Sequence, residues 1–188
     1  MMDSQLDLFT DLTITNKPAG ERARRRRVSE IQTQLRRLHD ELNHVLYTSK
    51  VGDLPLIHSP ADIYELLFPF MTPLDHEEFW VVLLNRRNAV IRLIKLYQGT
   101  LDQACIRVGE VYKPAIVENA ASIVIAHNHP SGEPLPSPQD TALTRAIVQA
   151  GKLLDIECLD HLVIGTGPLK DGIAAAYVSM KERGLGFS

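Results

Sequence analysis

The sequence predicts a mixed α/β (α+β) domain behind an N-terminal helical arm, and three observations predict it. Apolar runs of strand length, "FWVVLLN", "AVIRLIKLYQG", "SIVIAH" and "ECLDHLVIG", alternate with segments of helical period, as a sheet flanked by helices requires. The 188 residues are 45% hydrophobic and 23% charged, enough apolar material for one sizeable core. Near the start, Val28, Ile31, Leu35, Leu38, Leu42 and Val45 recur at intervals of 3, 4, 3, 4 and 3, a heptad seam fitting a helix of about 25 residues.

The expected organisation is a mobile tail over 1–20, a helical arm with its linker over 21–54, a domain over 55–182 and a tail over 183–188. The arm can dock on its own domain or pair with a second copy as a homodimer. Its run Arg24 to Arg27 either meets nucleic-acid phosphates or forms a solvated face. "HSPADIYELLFPF" reads as a short helix, with Ser59 as N-cap, Pro60 at the first position and Asp62 closing the cap. "FWVVLLN" and "AVIRLIKLYQG" read as two strands about a tight turn. "GEVYKPAIVENAA" has helical character that Pro114 must distort. "SIVIAH" is a buried strand, "SPQDTALTRAIVQAGKLLDI" a helix, "ECLDHLVIG" a strand, and "AAYVSM" a last short one.

Charge and composition narrow the function classes. A net charge of −3 gives no sign of a wholly basic nucleic-acid binder. Cys105 and Cys158 form no CxxC pair, so a reducing compartment is expected rather than a disulfide framework. "MMDSQLDLFTDL" carries acids where a signal peptide needs a basic segment and an apolar run. No apolar run approaches the roughly 18 residues of a membrane span, and a cytoplasmic protein is expected.

The stretch "AHNHPSGEPLPSPQD", Ala126 to Asp140, concentrates the chemistry. Strand residues two apart share a face, so His127 and His129 can reach one ion together. Zinc accepts imidazole nitrogen and carboxylate oxygen, and a catalytic site keeps three protein ligands and an open position. Asp140 is the third ligand if the Pro-rich loop folds back and offers it from the first turn of the next helix. The same Ser137-Pro-Gln-Asp140 is also a good helix start in its own right. No HExxH is present, which removes a thermolysin-like site, and no HxE with PCxxC, which removes the zinc deaminases. A His-x-His amidohydrolase barrel needs about 250 residues.

His-x-His, ten residues and Asp, with Ser three before the Asp, resembles the JAMM motif of JAB/MPN metalloproteases in the form carried by RadC-type (RadC-like, UPF0758) proteins. "EEFWVVLLNRRNAVI", "YQGTLDQACI", "EVYKPAI", "NAASIVIAHNHPSG", "TALTRAIVQAGKLLDIECLDHLVIG" and "YVSM" resemble RadC-type segments in the same order, from about Glu77 to Met180. The resemblance implies a JAB/MPN-like (cytidine-deaminase-like) mixed sheet flanked by helices. It implies Zn2+ on His127, His129 and Asp140, with water in the fourth position. Glu77 would be the general base, with Glu78 the neighbouring alternative, and Ser137 would stabilise the oxyanion of the tetrahedral intermediate. The implied reaction is zinc-dependent hydrolysis of a peptide or isopeptide bond, and the family's historical DNA-repair name implies a setting near DNA replication or repair. The alternative is a DNA-repair-associated adaptor or binding module, recruited through its N-terminus and without hydrolase activity. Asp160-His161 matches a family "LDH" outside the motif and reads as structural or supporting. RadC-type proteins usually begin with a helix-hairpin-helix-like region; the helical segment read here is the Arg-rich heptad helix.

"QLDLF", that is Gln5, Leu6, Asp7, Leu8 and Phe9, resembles the pentapeptide by which bacterial proteins bind the DNA polymerase sliding clamp. A tail can present Leu8 and Phe9 to an apolar pocket while Gln5 makes polar contacts. That would bring a hydrolase to DNA without a DNA-reading domain of its own.

Overall fold

The computed structural model describes residues 21–48, 55–71, 74–99, 106–165 and 177–187. The pentapeptide Gln5 to Phe9, Cys105 and the loop 166–176 lie outside these residues. The chain divides after Gln34 into two units. The division falls within the first helix, α1 (Glu21–Thr48). In the first unit, Arg26 and Arg27 both pair with Glu30 one turn on, so part of the arginine run is engaged along its own helix face.

The second unit is built on five strands. They are β1 (Glu77–Leu84), β2 (Val90–Gly99), β3 (Ser122–Asn128), β4 (Glu157–Ile164) and β5 (Tyr177–Ser179). Their order in the sheet is β2-β1-β3-β4-β5. β1 runs antiparallel to both β2 and β3, β3 runs parallel to β4, and β4 runs antiparallel to β5. The expected tight turn between β1 and β2 is made by Asn85 and Asn88. Asn85 Oδ1 accepts from the amides of Arg87 and Ala89, and Asn88 takes φ 57°, which asparagine tolerates better than most residues.

Alternation sorts the strand residues onto two faces. One face carries Phe79, Val81, Leu83, Ile123 and Ile125, packed with Tyr112 and Ala115 of α3 (Val108–Val117) and Ile147 of α4 (Pro138–Leu154). The other carries Trp80, Val82, Leu84, Val124, Ala126 and Leu162 under Ile63, Leu67 and Met71 of α2 (Pro60–Met71). Each fully buried Leu, Ile or Phe contributes about 1.5–3 kcal/mol through removal from water. α2 starts as expected at Pro60, and Asp62 Oδ2 accepts from the amides of His58 and Ser59. α3 accommodates Pro114 within its length.

Within the second unit, the C-terminal half of α1 docks on the α2 face. Leu42 packs against that core. Asn43 holds both polar groups of Leu93, donating to its carbonyl at 2.9 Å and accepting from its amide at 2.9 Å. β2 is an edge strand, so this side chain supplies what a neighbouring strand would have supplied. Leu38 and Val45 stay about half exposed, at 45% and 50%, so part of the heptad seam faces solvent.

The parallel pair β3 and β4 is joined through α4, which places the start of α4 at the carboxyl end of β3. Open α/β sheets hold their sites at such an end.

Candidate metal centre

His127 leaves β3 on the α4 face, stacked over Phe79 with ring centroids 6.4 Å apart and planes 11° apart. His129 lies just past the strand, where its amide donates to the carbonyl of Ile164 at 2.8 Å. The Pro-rich loop then turns back on itself. Gly132 takes φ 86°, and its carbonyl lies so close to Gly165 that a Cβ on Gly165 would stand 2.3 Å from that oxygen. Gly165 is therefore glycine because the loop crosses β4's end there.

The loop ends in the start of α4, and Asp140 serves two purposes with two oxygens. Oδ2 accepts from the Ser137 amide and the Ser137 hydroxyl, both at 2.7 Å, while Ser137 Oγ accepts from the Asp140 amide at 3.1 Å. That is a capping box. Oδ1 is turned the other way and lies 3.4 Å from His127 Nε2. The helix start and the ligand position are thus compatible readings of one carboxylate. Ser137, expected as an oxyanion stabiliser, has its hydroxyl in the cap.

His129 Nδ1 donates to the Glu133 carbonyl at 2.8 Å, which leaves Nε2 as the lone-pair nitrogen. That Nε2 is 3.1 Å from His127 Nε2. Two imidazole nitrogens and a carboxylate oxygen so close together can offer lone pairs to one cation. His127, His129 and Asp140 are the one cluster of metal-ligating groups found among the described residues, their ligand atoms all within 4.8 Å of one another. Two nitrogens and one oxygen on a mostly buried floor fit a divalent ion such as zinc.

His161, on β4, is fully buried. Its Nε2 lies 2.8 Å from His127 Nδ1, and its Nδ1 lies 2.6 Å from Thr144 Oγ1 on α4. Burial pushes the pKa of both His127 and His161 below the ordinary 6.5. For His127 the carboxylate of Asp140 opposes that effect and His129 adds to it, while for His161 both neighbouring histidines add to it. The sequence read Asp160-His161 as structural or supporting. Asp160 accepts from the amides of His161 and Lys181 and from the Ser179 hydroxyl, tying β4 to β5. Thr144 carried no sequence signal at all.

The two candidate general bases part company. Glu77 opens β1 in phase with Phe79, on the face that carries His127. Glu78 is only 4% exposed and on the opposite face. There it accepts from Trp80 Nε1 at 2.8 Å and from Lys95 Nζ at 3.0 Å, with His76 Nε2 3.3 Å away. Asn128, between His127 and His129, also turns to that face, where it bonds the β1 backbone.

The profile of the RadC-like JAB domain matches residues 57–185, covering the sheet and the cluster together. The chain belongs to the RadC-like JAB family. Its relatives agree: a UPF0758 protein of Chloroflexus aurantiacus is 46% identical over 147 residues, 78% of this chain and 61% of the relative. One from Roseiflexus sp. is 42% identical over 167 residues, 89% of this chain and 68% of the relative. One from Symbiobacterium thermophilum is 44% identical over 127 residues, 68% of this chain and 51% of the relative. The RadC-like chain thus spans 61% of the length of the Chloroflexus protein. The mixed five-stranded sheet flanked by helices is in keeping with a JAB/MPN-like fold. No helix among the described residues is long and apolar enough to cross a membrane.

Proposed function

We propose that this RadC-like protein is a zinc-dependent hydrolase of the JAMM type, acting on a peptide or isopeptide bond. The observation that supports it most is the convergence of His127 Nε2, His129 Nε2 and Asp140 Oδ1 on one point. Bound there, zinc supplies a Lewis acid beside which water is nucleophilic near neutral pH. Glu77 takes the proton of the attacking water and passes it to the leaving amine. Ser137 turns its hydroxyl proton from Asp140 Oδ2 to the oxyanion of the tetrahedral intermediate, while its oxygen keeps the Asp140 amide. Phe79 and the buried floor fix the His127 ring and exclude water from behind it.

The setting we propose is DNA replication or repair, in the cytoplasm. The sliding clamp would hold Gln5 to Phe9, and Arg24 to Arg27 would make weak contacts with phosphates. The exposed part of the heptad seam would pair two copies.

The test is zinc per chain in purified protein, alongside His129→Ala and Asp140→Ala, followed by peptide and isopeptide substrates. About one zinc, lost in both folded variants, is expected. No zinc, even after adding it back, would end the hydrolase reading and leave an adaptor recruited through the N-terminus.

A further inference from the structure

The hydrogen bonds behind His127 run in one direction, and that direction decides which of its nitrogens is free. Thr144 Oγ1 lies 2.6 Å from the Asp140 carbonyl oxygen and 2.6 Å from His161 Nδ1. A carbonyl only accepts, and two bare oxygens at that distance repel, so the single hydroxyl proton goes to Asp140. Thr144 then has only lone pairs to offer His161, whose Nδ1 must carry the proton. A neutral imidazole has one N–H, so His161 Nε2 is a lone pair. It faces His127 Nδ1 at 2.8 Å, and His127 donates to it. His127 Nε2 is left unprotonated, directed at His129 Nε2 and Asp140 Oδ1.

We propose that Thr144 and His161 are positioning residues that set the tautomer of His127, holding it in the Nδ1–H form that ligates through Nε2. This rests on the metal reading of the site. The chain starts on the backbone of one ligand, Asp140, and ends on the ring of another, so the helix that offers the carboxylate also orders the proton on the histidine. Thr144, His161 and His127 have no exposed surface, so bulk water does not compete for these bonds. His129 reaches the same tautomer by a shorter route, through the Glu133 carbonyl.

A residue that only filled space could be replaced by any of the same shape. Thr144→Val keeps the shape and removes the acceptor. His161 then moves its proton to Nε2 and donates to His127 Nδ1, and His127 takes the Nε2–H form, with a proton where the ion should be. Thr144→Ser keeps the hydroxyl and restores the order.

The experiment uses the full chain, with ring-nitrogen chemical shifts recorded without metal at pH 8 and zinc affinity measured by competition with a chromophoric chelator. Wild type and Thr144→Ser are expected to show Nδ1–H on His127 and zinc affinities within about threefold of each other. Thr144→Val is expected to show Nε2–H and to bind zinc about 10–100-fold more weakly. An Nε2–H His127 in metal-free wild type would overturn the proposal, and so would Thr144→Val with wild-type tautomer and affinity. If Thr144→Val does not fold, the wild-type tautomer decides alone. A wild type that shows Nδ1–H but binds no zinc would end the metal reading while leaving the proton order standing, so the two failures are distinct.

Discussion

Asn128 brackets Glu77: its Oδ1 accepts from the Glu78 amide at 2.7 Å and its Nδ2 donates to the His76 carbonyl at 2.9 Å. The residue between His127 and His129 therefore pins the strand start that carries the proposed base. Asn128→Ala is expected to cost about 1–3 kcal/mol by leaving those backbone groups unpaired, with zinc content unchanged. Urea unfolding and faster hydrogen exchange at the Glu78 amide would read it. Unchanged exchange there would show that the bracket is not what holds Glu77.

The two glutamates should respond oppositely. Glu77→Gln is expected to abolish hydrolysis while retaining zinc and the fold. Glu78→Ala leaves Trp80 Nε1 and Lys95 without their carboxylate and should lose about 1–3 kcal/mol. Denaturation curves beside turnover of a cleaved peptide separate the two, and a stable, active Glu77→Gln would reassign the base.

Gly165→Ala tests how the loop is held. The added methyl must displace the Gly132 carbonyl or the Pro134 ring, and either movement drags the segment between His129 and Asp140. Zinc affinity is expected to fall about tenfold or more, an effect of the size seen for disturbed ligand support, while β4 stays folded. Titration with a metal indicator measures it.

Acid should destabilise the metal-free protein. In the unfolded chain the buried histidines titrate near 6.5, whereas folded His127 and His161 resist protonation. Below pH 6.5 the unfolded state thus binds more protons, so the stability present above that pH is lost as pH falls toward the lower folded values. Unfolding free energies from urea titrations at pH 7 and pH 5 are expected to differ by on the order of 1–2 kcal/mol per histidine. Saturating zinc should offset the loss by binding the folded state. A midpoint flat across that range would mean that the rings are charged in the fold.

How much of this could be read from the chain depended on distance along it. The strands and helices of the sheet domain follow local period, and each lies where that period put it. His127, His129 and Asp140 were legible because one strand end, one rigid loop and one helix start bring them together within fourteen residues. Glu77 against Glu78 was not decidable, since alternation gives two faces but not which one His127 occupies. That needed the β1–β3 register, with Phe79 opposite His127. Thr144 and His161 depend on a parallel register, Ile125 beside His161, and on α4 crossing over it. Asn128 reads in sequence as a spacer, and its function exists only once β1 lies alongside.

The double use of Asp140 bears on the order of events in the cell. Its carboxylate is set by the Ser137 cap, an arrangement that a helix start makes without any ion. Most of the ligand geometry is thereby available to a chain that has not yet met metal. On the proposed metal reading, folding would come first and the ion second, because the helix cap rather than the ion sets the carboxylate.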